Sequence, residues 1–221
     1  MKILYDDPEF VVFEKSAGTD SEKITWEEVF GKGAEGTLFC VHRLDKGVGG
    51  VTVYAKTEKT AAVLSAGFAD RTIRKTYLAV TEGVPDPMSG EMEDLLFHDR
   101  RTNKTFVTDR ERKGVKRASL QYEVLAAGPA LERKPAALVR IRLNTGRTHQ
   151  IRVQFASRKL PLAGDRRYGA KTAWAGGIAL WSHELQMPHP VTGERLHFVS
   201  DFGAAEEIAA ELCKVNKNAS W

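Results

Sequence analysis

Alternation of apolar and polar residues predicts a chain built mainly of short strands. Helical spacing is confined to residues 26–30, to the stretch from Glu58 to about Ala69 behind a cap at Thr57, to the residues after Gly146, and to 204–213. Strands are predicted at 3–5, 10–14, 51–55, 75–81, 120–124, 136–143 and 178–187. Residues 86–117 have little periodicity, so we expect hairpins or long loops there. Many strands with few helices between them indicate an α+β fold with a largely antiparallel sheet.

Composition restricts the class of protein further. The 221 residues are 42% hydrophobic and 28% charged, which is typical of a globular domain, and the length suits one domain or one domain with two lobes. The longest stretch without a charged residue, 172–183, is far shorter than the roughly 20 apolar residues of a membrane span. The first residues lack a signal-peptide core, and the two cysteines, Cys40 and Cys213, provide no disulfide framework. We therefore expect a reduced, cytoplasmic location.

The distribution of charge says more than the net value of +4. Residues 1–30 hold three basic and eight acidic side chains, and residues 172–221 hold three basic and six acidic ones. In contrast, residues 100–117 hold eight basic and two acidic side chains, and residues 133–171 hold eleven basic and one acidic. Positive charge gathered into two central segments favours a basic face that binds a polyanion, for which nucleic acid is the obvious candidate. A solvated surface with uneven charge would give the same counts.

One polar cluster whose side chains could carry out chemistry is His-Arg-Leu-Asp-Lys at 42–46. Asp45 lies between Arg43 and Lys46, and cations nearby favour the ionised carboxylate, which could act as a nucleophile or an electrostatic stabiliser. A surface ion pair of little energetic value would also explain the same residues.

Two further polar clusters lie around Tyr77 and at the glycine turn of residues 144–152. Tyr77 lies in a predicted strand, where it could pack in the core or could stack on a base and move a proton. In Asn-Thr-Gly-Arg-Thr-His-Gln-Ile-Arg at 144–152, a strand ends and a helix begins. Backbone N–H groups at such a helix start favour anions, and Arg147 and Arg152 could hold a phosphate or a carboxylate. His149 and Gln150 could bind a backbone or a base, although solvated arginines on a capped helix remain an alternative.

Taken together, HRLD at 42–45, KTY at 75–77 and TGRTHQIR at 145–152 resemble the RluA-type family of RNA pseudouridine synthases in order and spacing. The likeness continues in the opening segment 3–18, in Gly-Asp-x-x-Tyr-Gly at 164–169 and in 189–198, so that it covers about residues 3–200. It implies the pseudouridine synthase fold, a mixed and mostly antiparallel sheet flanked by helices and loops with an active-site cleft across its middle. We expect one catalytic domain over 1–221, without an N-terminal S4-like RNA-binding module.

The resemblance also implies roles for particular residues. Asp45 matches the catalytic aspartate, and Tyr77 matches the tyrosine that stacks on the uracil and serves in proton transfer from C5. Arg152 matches the arginine that pairs with the aspartate, and Arg43 matches the arginine beside the flipped nucleotide. The remaining predicted substrate-binding residues are His42, Leu44, Arg147, His149, Gln150 and Ile151, and the predicted RNA-backbone contacts are Arg100, Arg101 and Lys104. No metal or organic cofactor is implied, the expected partner is ribosomal or transfer RNA, and a monomer is the default.

Three departures from the family pattern concern the surroundings of these residues. Val48-Gly49-Gly50 stands where Thr-Ser-Gly is common, so two hydroxyls are lost and we expect a more flexible loop. Lys15-Ser16 stands where Lys-Pro is common, and Trp181-Ser182-His183 stands where Leu-His-Ala is usual. None of the three removes a predicted catalytic residue.

Two other hypotheses compete with an active synthase. The first is a catalytically inactive RNA-binding or ribosome-assembly protein of the same fold, against which the intact Asp45, Tyr77 and Arg152 argue. The second is a metal-dependent nuclease that uses Asp45 and histidines. The spacing of the six histidines matches no standard set of metal ligands; they are His42, His98, His149, His183, His189 and His197.

Overall fold

The computed structural model describes residues 1–131, 134–175 and 177–203. Its contacts divide the chain into two compact units. The first comprises Met1–Thr76 with Trp181–Asp201, and the second comprises Tyr77–Leu180 with the described residues Phe202 and Gly203. The helix predicted at 204–213 lies outside the described residues.

The first unit contains strands, two helices and one short 3-10 turn. The strands are β1 (Lys2–Asp6), β2 (Phe10–Lys15), β3 (Phe39–Cys40), β4 (Gly49–Ala55), β10 (Leu180–Pro188, within this unit from Trp181) and β11 (Arg195–Val199). Helix α1 covers Trp26–Phe30, helix α2 covers Glu58–Asp70, and the 3-10 turn covers Ser21–Lys23. Antiparallel pairs join β1 to β2, β2 to β4, β3 to β4 and β10 to β11, whereas β4 and β10 pair in parallel.

Both faces of β2 and β4 are buried in the first unit, which explains why these strands contain few polar residues. One face of β2 presents Phe10 and Val12 to a cluster that includes Leu64 of α2 and Leu185 of β10. The other face presents Phe13 to a second cluster with Tyr54 and Val29. A strand with core on both sides carries no polar alternation, so its residues read as one hydrophobic run.

Helix α2 confirms the predicted cap and corrects the predicted inner face. The hydroxyl of Thr57 accepts a hydrogen bond from the Thr60 N–H at 3.1 Å, as an N-cap residue does. Helical spacing in the sequence predicts an inner face with Ala61, Leu64, Ser65 and Phe68. In the structure Ser65 is exposed, and the buried line runs through Thr60, Leu64 and Gly67. Gly67 belongs to that line because Ile73 packs directly over it.

The second unit contains a strand meander and one helix. Its strands are β5 (Arg74–Glu82, within this unit from Tyr77), β6 (Ser89–Asp99), β7 (Lys104–Thr108), β8 (Val115–Leu131) and β9 (Lys134–Leu143), and they lie in the order β5-β9-β8-β6-β7. Helix α3 covers Gln150–Ser157, and a 3-10 turn covers Arg166–Tyr168. Val153 of α3 packs on Leu96 and Ala118, which covers one face of β6 and β8. Residues 86–117 therefore form the predicted hairpin, with strands longer than their weak periodicity indicated.

The prediction of a flexible loop at Val48-Gly49-Gly50 is wrong, because Gly49 and Gly50 are buried residues of β4. A Cβ added to Gly49 would lie 2.2 Å from the ring of Trp181, and one added to Gly50 would lie 2.2 Å from the Ser182 carbonyl oxygen. Trp181 also donates its indole N–H to the Ser200 hydroxyl at 3.0 Å. Two departures from the family pattern are thus complementary, since the missing side chain at position 49 makes room for the large ring at 181.

The described residues confirm the predicted α+β class, with many strands and few helices. None of the helices among these residues is both long and apolar enough to cross a membrane.

Candidate active site

The loop that carries Asp45 is held by the segment that follows β2. The Ser21 hydroxyl accepts a hydrogen bond from the Leu44 N–H at 3.1 Å and donates one to the Leu44 carbonyl at 3.0 Å. On the other side of Asp45, the Gly18 N–H donates to the Lys46 carbonyl at 2.7 Å. A turn bond from the Val48 N–H to the Asp45 carbonyl, at 2.9 Å, completes the arrangement. The backbone on both sides of Asp45 is therefore fixed.

Lys15 supplies a buried positive charge near Asp45. The side chain is inaccessible to solvent, and its ammonium donates to the carbonyls of Ser16 and Thr19 at 3.2 and 2.8 Å. Burial lowers the pKa of Lys15 to about 8, while the negative charges of Asp45 and Asp20 act against this shift. Lys15 was not among the predicted site residues, although it lies in the opening segment 3–18 that resembles the family.

The His42 ring is held by contacts with other residues of the first unit. Its Nε2 accepts a hydrogen bond from the Val53 N–H at 3.2 Å, and its Nδ1 lies 3.4 Å from the Lys75 ammonium. Its ring packs on Phe68 with a centroid distance of 4.4 Å. Burial, and next the positive charge of Lys75, hold the pKa of His42 well below its ordinary value. These contacts tie the start of the Asp45 loop to β4.

The two residues between His42 and Asp45 have opposite environments. Leu44 is buried, which agrees with a position that lines a pocket or packs in the core. Arg43 is exposed and forms a surface ion pair of 2.9 Å with Glu22, with side-chain exposures of 57% and 60%. Because exposed pairs are weak, the Arg43 guanidinium can exchange Glu22 for a phosphate at small cost.

Tyr77 lies in β5, at the start of the second unit, and only 5% of it is accessible to solvent. Along the strand it alternates with Thr76, Leu78 and Val80, so that Ala79 and Thr81 share its face. Both of these neighbours are fully buried. The Tyr77 side chain therefore projects from a rigid, packed strand.

Arg152 pairs with a carboxylate that the sequence analysis did not predict. Its Nε and one terminal nitrogen donate to the two oxygens of Asp165 at 2.7 and 2.9 Å, which is the bidentate fork geometry. Both residues are buried, with 5% and 1% exposed. The ring of Tyr168 lies against the guanidinium at 5.1 Å. Asp165 and Tyr168 come from the Gly-Asp-x-x-Tyr-Gly segment, which was the available signal, and pairing of Arg152 with Asp45 stays a prediction.

The turn before α3 is organised by Gln150. Its side-chain carbonyl accepts from the Thr145 hydroxyl at 2.8 Å and from the Arg147 N–H at 3.0 Å, and its amide donates to the Ser119 carbonyl at 3.0 Å. Ile151 beside it is buried. These contacts show that Gln150 positions the turn, and substrate binding by Gln150 and Ile151 stays a prediction.

His149 and Arg147 face different surroundings in the same turn. His149 has a left-handed backbone, with φ of 54°, and its Nδ1 lies 3.0 Å from the Tyr168 hydroxyl, which links it to the partner of Arg152. The Nε of Arg147 donates to the Arg117 carbonyl at 3.0 Å, and the residue is partly exposed. Arg147 is therefore the member of this motif with a cation at the surface.

The predicted RNA-backbone residues lie at the turn between β6 and β7. Arg100 and Arg101 are exposed, and the Arg101 N–H donates to Asp99 at 2.9 Å. The Lys104 ammonium lies 5.5 Å from the Phe106 ring and 5.6 Å from the Tyr168 ring. All three cations thus stand at one end of the second unit.

Comparisons with known proteins identify the family. A family model described as RNA pseudouridylate synthase matches residues 3–157. An "uncharacterized RNA pseudouridine synthase" of Mycobacterium bovis is 32% identical over 233 residues, covering 97% of this chain and 73% of its own. The ribosomal large subunit pseudouridine synthase D of Zymomonas mobilis is 34% identical over 188 residues, covering 80% of this chain and 57% of its own.

A solved structure shows the same fold. The human RNA pseudouridylate synthase domain containing 1 superposes with a TM-score of 0.79 at 19% identity, covering 99% of this chain and 95% of that one. The chain therefore belongs to the RNA pseudouridylate synthase family, as the three motifs predicted. It is an RNA pseudouridine synthase, which makes it an isomerase that acts on RNA.

Proposed function

We propose that the protein converts specific uridines of ribosomal or transfer RNA to pseudouridine in the cytoplasm, as a monomer and without a cofactor. A relative named for the large ribosomal subunit supports ribosomal RNA as one substrate. The observation that carries the proposal is the fixed loop of Asp45, whose flanking backbone groups are bonded to Ser21 and Gly18.

Asp45 is proposed to act at C1′ of the target. In the isomerisation the bond between N1 and C1′ breaks, the uracil turns over, and a bond forms between C5 and C1′. The sugar passes through an oxocarbenium-like state or a covalent adduct, both of which need a carboxylate beside C1′, as in glycoside hydrolysis. One carboxylate suffices because the leaving base is recaptured. Lys15 supports this function, because its buried positive charge interacts with the charge of Asp45.

Tyr77 and Arg152 are proposed to complete the catalytic group. Tyr77 stacks on the uracil, and its hydroxyl handles the proton that leaves C5 after the new bond has formed. Arg152 is proposed to orient the catalytic carboxylate through its planar guanidinium, a function that lysine cannot replace. The contacts of Arg152 with Asp165 and Tyr168 support this proposal because they hold the guanidinium in one orientation.

The target uridine is proposed to leave its stack before it reacts, which costs a few kcal/mol and favours loops and single strands. Arg43 is exposed and Arg147 is partly exposed, so we assign these two cations to the phosphates beside the flipped nucleotide. Arg100, Arg101 and Lys104 are assigned to more distant phosphates, whose contacts make affinity sensitive to salt. His42, Leu44, His149, Gln150 and Ile151 are proposed to bind the substrate beside these residues.

The test is Asp45→Asn, with Asp20→Asn as the matched control. Both substitutions remove one negative charge near Lys15, but only the first removes the proposed catalytic group. Tritium release from unmodified ribosomal and transfer RNA transcripts labelled at C5 of uridine measures turnover. We expect Asp45→Asn to abolish release while RNA affinity stays within a few-fold, since phosphate contacts dominate affinity. Near-normal release by Asp45→Asn would refute the mechanism, and no release by the parent would favour the RNA-binding alternative.

A further inference from the structure

The outer face of the β7-β6-β8 sheet carries an apolar row at the strand ends. Phe106, Phe97 and Val115 are direct cross-strand neighbours, and Leu95 lies in the next row, paired with Arg117. The opposite face of β6 and β8 is the one that packs on α3. Phe106 is 43% exposed, and Phe97, Leu95 and Val115 are half-buried. An aromatic row on an open sheet face is a surface on which RNA-binding domains stack bases.

Arg112 is held above this row by a tight turn. The Val115 N–H donates to the Arg112 carbonyl at 3.0 Å, and Gly114 adopts a left-handed φ of 89° that other residues rarely take. The Arg112 guanidinium lies 4.4 Å from the centroid of the Phe97 ring. One face of the guanidinium is therefore seated on an aromatic ring, in a cation–π contact, and its position is set before any ligand arrives.

A cleft of about 450 Å³ opens beside this arginine. It is lined by Leu95, Glu111, Arg112, Val115 and Arg117. Its volume lies within the range of about 300–1,000 Å³ typical of small-ligand sites. Arg117 pairs with Glu111 at 3.0 Å, and the Arg117 carbonyl accepts from Arg147 of the TGRTHQIR motif. The cleft thus adjoins a residue proposed to bind the substrate.

We infer that this cleft binds an unpaired base of the RNA, separate from the target uridine. The inference rests on the proposed function, because it takes RNA to be the substrate. Eight basic and two acidic residues in 100–117 match a polyanion. The base stacks on the Arg112 guanidinium, and Glu111 accepts a hydrogen bond from its amino group. Adenine and cytosine, which carry an exocyclic amino group, are therefore preferred over uracil.

The test compares Arg112→Lys with Lys113→Ala in the full chain. Arg112→Lys keeps the charge but loses the planar stacking surface, whereas Lys113→Ala loses an exposed charge outside the cleft. Fluorescence anisotropy measures binding of 12-nucleotide oligo(A), oligo(C) and oligo(U). We expect Arg112→Lys to weaken oligo(A) and oligo(C) by at least about fivefold, in line with the loss of one stacked base, and to weaken oligo(U) less. Lys113→Ala is expected to weaken all three by one common factor, because phosphate contacts carry no base information.

A second variant tests the acidic wall of the cleft. Glu111→Ala is expected to strengthen oligo(U) binding by removing a negative charge, and to reduce the preference for oligo(A) and oligo(C). Equal affinities of Arg112→Lys and the parent for all three oligonucleotides would overturn the inference. So would a uniform loss like that of Lys113→Ala, which would indicate a phosphate contact. Pseudouridine formation by the parent is measured separately, so a failure of this inference can be distinguished from a failure of the proposed function.

Discussion

Asp165→Asn should destabilise the protein strongly, because it leaves the Arg152 guanidinium buried beside a neutral side chain. The two residues are 5% and 1% exposed, and two hydrogen bonds of 2.7 and 2.9 Å join them. Removing one partner of a buried ion pair typically costs 3–5 kcal/mol. Asparagine retains one acceptor oxygen, so we expect the lower end, about 3 kcal/mol of unfolding free energy.

The exposed pair between Arg43 and Glu22 provides the matched control. Its shortest distance, 2.9 Å, is similar, but both side chains are more than half exposed. Glu22→Gln should therefore cost less than about 1 kcal/mol. Urea unfolding followed by circular dichroism and tryptophan fluorescence measures both variants. With a slope of about 2 kcal/mol per molar urea, Asp165→Asn should lower the midpoint by about 1.5 M.

The double variant Arg152→Met with Asp165→Leu separates charge burial from packing. Replacement of both partners by apolar groups removes both buried charges, so we expect much of the stability lost in Asp165→Asn to return. Activity should be absent in the double variant, because Arg152 is missing. The reasoning is refuted if Asp165→Asn shifts the midpoint no more than Glu22→Gln does. That result would mean that Asp165 does not compensate the buried charge of Arg152.

Three further predictions concern the first unit. Ser21→Ala should lower kcat more than it raises KM, because the backbone N–H and carbonyl of Leu44 lose their partner and the Asp45 loop becomes less ordered. Gly49→Ser should lower the melting temperature because a Cβ there would meet the Trp181 ring, and Trp181→Leu in the same chain should restore part of the loss. His42 is neutral in the folded state and titrates near 6.5 when unfolded, so the unfolded state binds more protons as pH falls below 6.5. Folding stability should fall there by up to about 1.4 kcal/mol per pH unit, an effect that urea midpoints at pH 7.5 and 5.0 will show and that His42→Asn should reduce.

Each of these three has a distinct contradicting result. Ser16→Ala, at an exposed position of the same segment, should leave kcat unchanged. An equal loss of kcat in Ser16→Ala and Ser21→Ala would show that the hydrogen bonds between Ser21 and Leu44 do not order the Asp45 loop. Failure of Trp181→Leu to improve Gly49→Ser would show that the ring is not the obstacle. A pH dependence identical in parent and His42→Asn would assign the acid sensitivity to other groups.

Sequence patterns with short range predicted most of the secondary structure. Helix α2 begins behind Thr57 as expected, because an N-cap bond joins residues only three apart. The strands follow from alternation or from continuous apolar runs, and the three motifs identified the family because their residues are specific in type and order. Asp45, Tyr77 and Arg152 were therefore available as candidates from the sequence.

The partners of these residues depended on tertiary structure. Ser21 clamps a residue 23 positions away, and Asp165 compensates an arginine 13 positions away on another element. Gly49 looked like a flexible position, but the fold places the Trp181 ring over it. Local periodicity does not predict such contacts, since they form only when segments distant in the chain pack together. Burial then decides whether a charge must be paired, and this is a property of the packed molecule.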